Sequence, residues 1–311
     1  MKEGIIFLEK SFWMGMTSER EKYLLVDKII RSHSDIYTDF QKNDIGETPA
    51  LYDVFSETGG RIYWDKNVDD YIDSDDIRCL SSFFLVDKDS MYCDGKSVSR
   101  GIVVMNNSQY KKPNTFFEQT TREIDEGRKY YQGWKNKSFE SIFSNKYCNA
   151  LIINDKYLCN KGYINPELLD ILDLLLPRKI DMTFHLSIFS EINTNGESIY
   201  MELRSTIKSI RSDEFERNTQ LTLCYSTLHD RFILSNTFLI TVGAGFKLFS
   251  DKYGNPSNKP SNSTAIKVLF PVACGTKSEY NLFIRKTNDI NNGTINYWGD
   301  KENRLFDLVK S

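Results

Sequence analysis

His229, Arg231 and Asn236 stand at i, i+2 and i+7 in Leu228-His229-Asp230-Arg231-Phe232-Ile233-Leu234-Ser235-Asn236, a segment that alternates like a β-strand. Residues two apart on a strand share a face, so the imidazole and the guanidinium are expected to point the same way, with Phe232 and Leu234 entering the core from the other face. A planar guanidinium matches two phosphate oxygens at once, and an imidazole beside it suits the same ligand. The chemistry this pair fits is that of a phosphodiester site. Gly243 and Gly245, shortly after, fit a turn or a close backbone approach better than a continuing strand. The same tripeptide also serves as a surface ion pair, or as a buried polar network in which Asp230 pairs Arg231 or a neighbour.

The run His229-Asp230-Arg231-x-Ile233-x-x-Asn236, followed by Ile240 and Gly243-x-Gly245-Phe246-x-x-Phe249, resembles the His-Asp-Arg core of phospholipase D-like domains. The resemblance is to the C-terminal domain of eukaryotic proteins carrying a microtubule-interacting-and-transport module and to related bacterial proteins of mobile defence regions. It spans about Asn149 to Phe249. Against the superfamily signature His-x-Lys-x-x-x-x-Asp, it implies His229 as nucleophile, Arg231 in the phosphate-holding lysine position and Asn236 in the acid position. Asp230, Gly243, Gly245 and His185 join the implied ligand-binding residues. Arginine keeps phosphate binding, while asparagine keeps hydrogen bonds and loses the charge, so the two replacements preserve binding better than cleavage.

Catalytic members of that superfamily pair two such motifs. His33 is followed at i+2 by Asp35 and His185 by Ser187, and the chain holds three histidines in all. The resemblance therefore implies that hydrolysis takes a homodimer, one His229 attacking phosphorus and the other protonating the leaving group, with no metal and no cofactor. The implied function is a phosphodiester- or nucleic-acid-binding protein, a nuclease in its catalytic form, acting as a homodimer or with a partner protein in bacterial defence. The alternative is a non-catalytic module for protein assembly or anionic lipid headgroups.

Composition narrows the setting. A net charge of −3 and a pI near 5.8 give no global basicity for nucleic acid and leave room only for a local basic patch. Cys79, Cys93, Cys148, Cys159, Cys224 and Cys274 are scattered without metal-ligand spacing and read as reduced, mostly buried thiols. The start, Met1 to Lys10, is charged too early for a signal peptide, and the longest apolar run, Leu168 to Leu176, is broken by Asp170 and Asp173. A soluble, cytoplasmic protein is expected. The acidic run Asp65, Asp69, Asp70, Asp73, Asp75 and Asp76 lacks the glycine and closing glutamate of a calcium loop, so it reads as a solvated loop or helix start.

These residues need elements to hold them, and the expected fold class is α/β (mixed α+β) in two parts. Residues 1–145 form an N-terminal α+β region of unknown role, with a helix over Ser18–Ile30 and strands at Arg61–Trp64, Leu80–Val86 and Gly101–Met105. Thr115–Phe143 is charged and aromatic, partly helical, and bridges the halves. Residues 146–311 form the phospholipase D-like domain, a mixed sheet flanked by helices. Its expected strands are Asn149–Leu158 (one strand or a strand-turn-strand), Thr183–Ile192, Gln220–Tyr225, the His-Asp-Arg segment, Ala265–Val272 and Tyr280–Lys286. Asn165-Pro166-Glu167 opens a helix stopped by Pro177, Met201–Ile210 forms a second, and Asp251–Ser263 is a surface loop beside the site.

Overall fold

Residues 5–8, 83–85 and 103–105 are apolar without interruption, the pattern of strands buried on both faces. The computed structural model makes them three adjacent strands of a wholly parallel sheet. It describes residues 5–17, 21, 35–47, 61–75, 83–111, 120–122, 147–159, 162–193, 195–242, 246, 266–269, 285, 288–290, 292–301 and 303–305. The expected helix Ser18–Ile30, His33, Asp76, Cys79, most of Thr115–Phe143, Gly243, Gly245, Phe249, the loop Asp251–Ser263, Cys274 and most of Tyr280–Lys286 lie outside those residues.

In the first half, the order is β1 (Ile5–Leu8), α1 (Lys10–Thr17), β2 (Asp35–Thr38), β3 (Ile62–Tyr63), α2 (Asp69–Ile72), β4 (Phe83–Leu85), α3 (Ser90–Arg100) and β5 (Val103–Met105). The sheet order is β3-β2-β1-β4-β5, that of a doubly wound fold. The period of two divides each strand between two cores. Ile6, Leu8, Phe83 and Leu85 pack with Phe12 and Trp13 of α1, whereas Ile5, Phe7 and Phe84 pack with Ile72 of α2 and Cys93 of α3. The described part of the acidic run becomes α2 and its flanks, and three of its carboxylates are ion-paired: Asp69 with Lys88, Asp73 with Lys96, Asp75 with Arg100. Among the described residues, no cluster of His, Cys, Asp and Glu is placed to hold a metal ion.

The second sheet contains β6 (Thr120–Arg122), β7 (Ala150–Asn154), β8 (Phe184–Ser190), β9 (Thr219–Tyr225), β10 (Phe232–Ser235), β11 (Leu239–Val242), β12 (Ile266–Leu269) and β13 (Tyr297–Gly299). Its order is β13-β9-β8-β7-β10-β11-β12-β6, so the sheet reaches back across residue 146 to recruit β6. Strands β7, β8 and β9 run parallel, joined through α4 (Pro166–Leu175) and through α5 (Gly196–Ile210) with α6 (Asp213–Arg217). All other pairings in this sheet are antiparallel. The molecule is thus a mixed α/β structure with two sheets flanked by helices. Asn165 caps α4 by accepting from the Glu167 amide, with Pro166 in the first turn. Helix α5 starts five residues before the apolar phase at Met201 because Asn195 caps it there.

One face of the second sheet, with Leu151, Ile153, Leu186, Ile188, Leu221 and Leu223, packs against Leu168 and Leu172 of α4 and Leu203 and Ile207 of α5. The other face, with Ile152, Phe189, Phe232 and Leu234, is covered by Ile290 and Leu305. Trp298 lies against the α carbon of Gly196, where an added Cβ would come within 2.2 Å of the ring, so the Tyr297–Lys301 segment is part of the packing. Cys93, Cys148, Cys159 and Cys224 are buried thiols outside any disulfide. No helix among the described residues is long and apolar enough to cross a membrane.

The two halves meet at the C-terminus of α3. An α-helix ends with carbonyls that have no partner within it. Here the Ser99 carbonyl accepts from the Asp181 amide at 2.7 Å, that of Arg100 from Asn149 Nδ2 at 3.1 Å, and that of Gly101 from Asn236 Nδ2 at 2.7 Å. Gly101 closes the helix in the left-handed region, φ 59°, with the Cys148 carbonyl so close that a Cβ would meet it at 2.4 Å.

Candidate functional site

Two places in these sheets have the topology of ligand sites. In the first sheet, the reversal of strand order between β1 and β4 opens a crevice at their carboxyl ends. Its own carboxylates fill it. The first amide of α1, Lys10 N, donates to Asp39 Oδ1 at 2.6 Å, Asp87 N donates to Glu9 Oε2 at 2.6 Å, and Asp89 caps α3. A phosphate there would face carboxylates where it needs donors. Burial raises the Glu9 carboxyl above the usual range, the Asp87 amide and Lys88 offsetting part of the effect.

The second place is the carboxyl edge of β7, β8 and β9. Because β10 runs antiparallel to β7, with Phe232 opposite Asn154, the residues just before β10 lie beside those just after β7. His229, Asp230 and Arg231 form that lead-in and precede the strand, which begins at Phe232. The lead-in is fixed through its backbone: Asn154 Nδ2 donates to the Asp230 carbonyl, and Val242 N donates to that of Arg231 at 3.2 Å. Phe232 and Leu234 are buried together, as the alternation predicts.

The turn after β7 supplies the other wall. Asp155 is 3% exposed, and its carboxylate ties three segments together. Oδ1 accepts from Tyr157 N at 3.0 Å, Oδ2 accepts from Phe246 N at 3.2 Å, and Arg231 Nε stands 3.8 Å from Oδ1. Burial raises the Asp155 carboxyl, and the two amides, Arg231 and His229 counter only part of that rise. Tyr157, in the same turn, is 43% exposed. The guanidinium carbon of Arg231 and the Lys156 ammonium each lie 5.8 Å from its ring centroid, and the His229 ring meets that ring edge-on at 6.4 Å. Lys156 also stands 3.6 Å from Glu191.

The structure thus keeps His229 and Arg231 together, His229 exposed and Arg231 one fifth exposed, with exposed Asp230 between them. Asn236 is elsewhere. It follows β10 at the far end, about 17 Å along the strand from Arg231, where it is buried, accepts from Asn149 N at 2.9 Å and donates to Gly101. His185 sits at the amino end of β8, about 16 Å from the carboxyl edge, and its Nδ1 accepts from Arg304 N at 3.2 Å. The sequence reading missed Asp155, Lys156 and Tyr157. An acid, a cation and an aromatic directly after an unbroken apolar strand were the available signal, and only the strand pairing joins them to Arg231. No protein-family model matches the chain, and no curated protein is significantly similar to it.

Proposed function

We propose that this chain binds phosphate-bearing ligands, nucleic acid foremost, through Arg231 and His229, as a phospholipase D-like module working in bacterial defence. The observation that carries the reading is the cluster at the carboxyl edge of the second sheet, where a guanidinium and an imidazole share the surface of an exposed tyrosine. The strand-helix-strand-helix-strand order ahead of the motif agrees with the resemblance in its residues. Binding is the reading favoured over cleavage. Asn236 is occupied at the other end of β10, and among the described residues the other imidazole, His185, lies at the opposite end of β8 and not beside His229, where the superfamily's two-motif chemistry would use it. Exposed His229 leaves that partner to a second copy of the chain.

The test is fluorescence anisotropy of a labelled 20-nucleotide DNA at low salt. Arg231→Ala should weaken binding about tenfold or more, the loss of one charge-assisted contact, with the fold intact by circular dichroism. Unchanged affinity in the folded variant would overturn the reading. Phosphodiester cleavage in EDTA that disappears in His229→Ala would extend the reading to catalysis.

A further inference from the structure

The described charges at this edge are nearly balanced. Among the described residues of the cluster the cations are Arg231 and Lys156, and each has a carboxylate beside it, Asp155 by Arg231 and Glu191 by Lys156, with exposed Asp230 adjoining in sequence. Duplex binding that relied on counterion release would need several unopposed cations. What the cluster offers instead is a π surface. Tyr157 and Tyr163 are the aromatic residues among the exposed large apolar side chains of the described surface, and the Tyr157 backbone is held by hydrogen bonds. Its amide is held by Asp155, Leu158 N donates to the Asp155 carbonyl at 3.3 Å, and Leu158 is buried as an anchor. The alternative role for the ring is to pack the two cations. At 5.8 Å each, they sit near the outer limit of a cation–π contact, which leaves the ring more accessible than a clasped one.

We infer that Tyr157 is a stacking platform for an unpaired base, so that the ligand is a single-stranded nucleic acid whose adjoining phosphate lies on Arg231 and His229. The inference rests on the phosphate reading above and gives it a substrate class. A base stacked on an aromatic ring is sequence-tolerant and contributes enough to outweigh an unfavourable local charge balance. A duplex keeps its base faces covered, and a lipid headgroup has none. The few phosphates engaged also set a shallow salt dependence, with a slope of about −0.7 in log–log form for each phosphate contacted on a single strand.

The experiment compares a labelled single strand, the duplex of the same sequence, and phosphatidylserine vesicles, using the full chain and its Tyr157→Ala, Tyr157→Phe, Tyr157→Trp and Arg231→Ala variants. The expected result is tighter binding of the single strand than of duplex or vesicles. Tyr157→Ala should lose about tenfold for the single strand, Tyr157→Phe should retain it, and the emission of Tyr157→Trp should be quenched on binding. If Arg231→Ala weakens single strand and duplex alike while Tyr157→Ala changes neither, and Tyr157→Trp binds without quenching, stacking is overturned and the phosphate site stands. If vesicles alone are bound, the nucleic-acid assignment is overturned. If Arg231→Ala changes nothing, the phosphate site itself falls.

Discussion

Asp155 competes with any anion for Arg231, and this gives the site a pH dependence with a definite sign. Its carboxyl is raised chiefly by burial, so on acidification from neutral pH it takes up a proton before an ordinary aspartate does. Once neutral it no longer opposes a phosphate on Arg231, and affinity should increase as pH falls toward the carboxylate range. Asp155→Asn should bind more tightly at pH 7, at the cost of the Phe246 amide contact, and should flatten the affinity profile measured by anisotropy between pH 5 and pH 8. A steeper profile in the variant would contradict this role. The folded state also holds that proton more tightly than the unfolded chain, so this group's contribution to stability is present below the unfolded carboxylate range and is lost as pH rises through the raised value. His229 and Arg231 were legible from residue type and spacing. Asp155 and Tyr157 were not, because their nearness to Arg231 arises from the register between β7 and β10, which local sequence does not encode.

At the scale of elements, β10 has a different task at each end. Its start carries the candidate site, and the turn beyond its end carries Asn236, which serves two buried backbone groups from opposite halves of the molecule. Asn236→Ala leaves the Asn149 amide and the Gly101 carbonyl without this partner. It should lower stability by about 2–4 kcal/mol in a urea melt, while the folded fraction keeps its affinity for anions. A loss of affinity with unchanged stability would instead assign Asn236 to the site. The spacing His-x-Arg-x-x-x-x-Asn suggested one cluster, but a strand of four residues separates its ends by more than a side chain can reach. The start of α4 was legible, since Asn165-Pro166 acts through neighbours in sequence, whereas α5 begins five residues before the expected Met201. The parallel first sheet was the least legible. Strands of two to four residues, several of them buried on both faces, carry too little alternation to reveal their partners.

At the scale of the whole molecule, the halves share more than a linker, because the last carbonyls of α3 are satisfied by groups of the second half. Arg100 adds to the junction by donating to the Asp181 carbonyl at 3.1 Å while pairing with Asp75. The four buried cysteines happen to sample this arrangement: Cys93 lies within α3, Cys148 at the junction, Cys159 in the turn region after β7 and Cys224 in β9. Desolvation pushes the Cys159 thiol up to about 12 and raises that of Cys148 strongly as well, so neither offers appreciable thiolate to an alkylating reagent while the chain is closed. With Cys79 and Cys274 replaced by serine, maleimide labelling followed by peptide mass spectrometry becomes a clock for local opening. Asn236→Ala should speed labelling of Cys148 more than that of Cys224, and equal acceleration would mean that the junction opens only when the second sheet does. The chain's own thiols thus record, residue by residue, where its structure first comes apart.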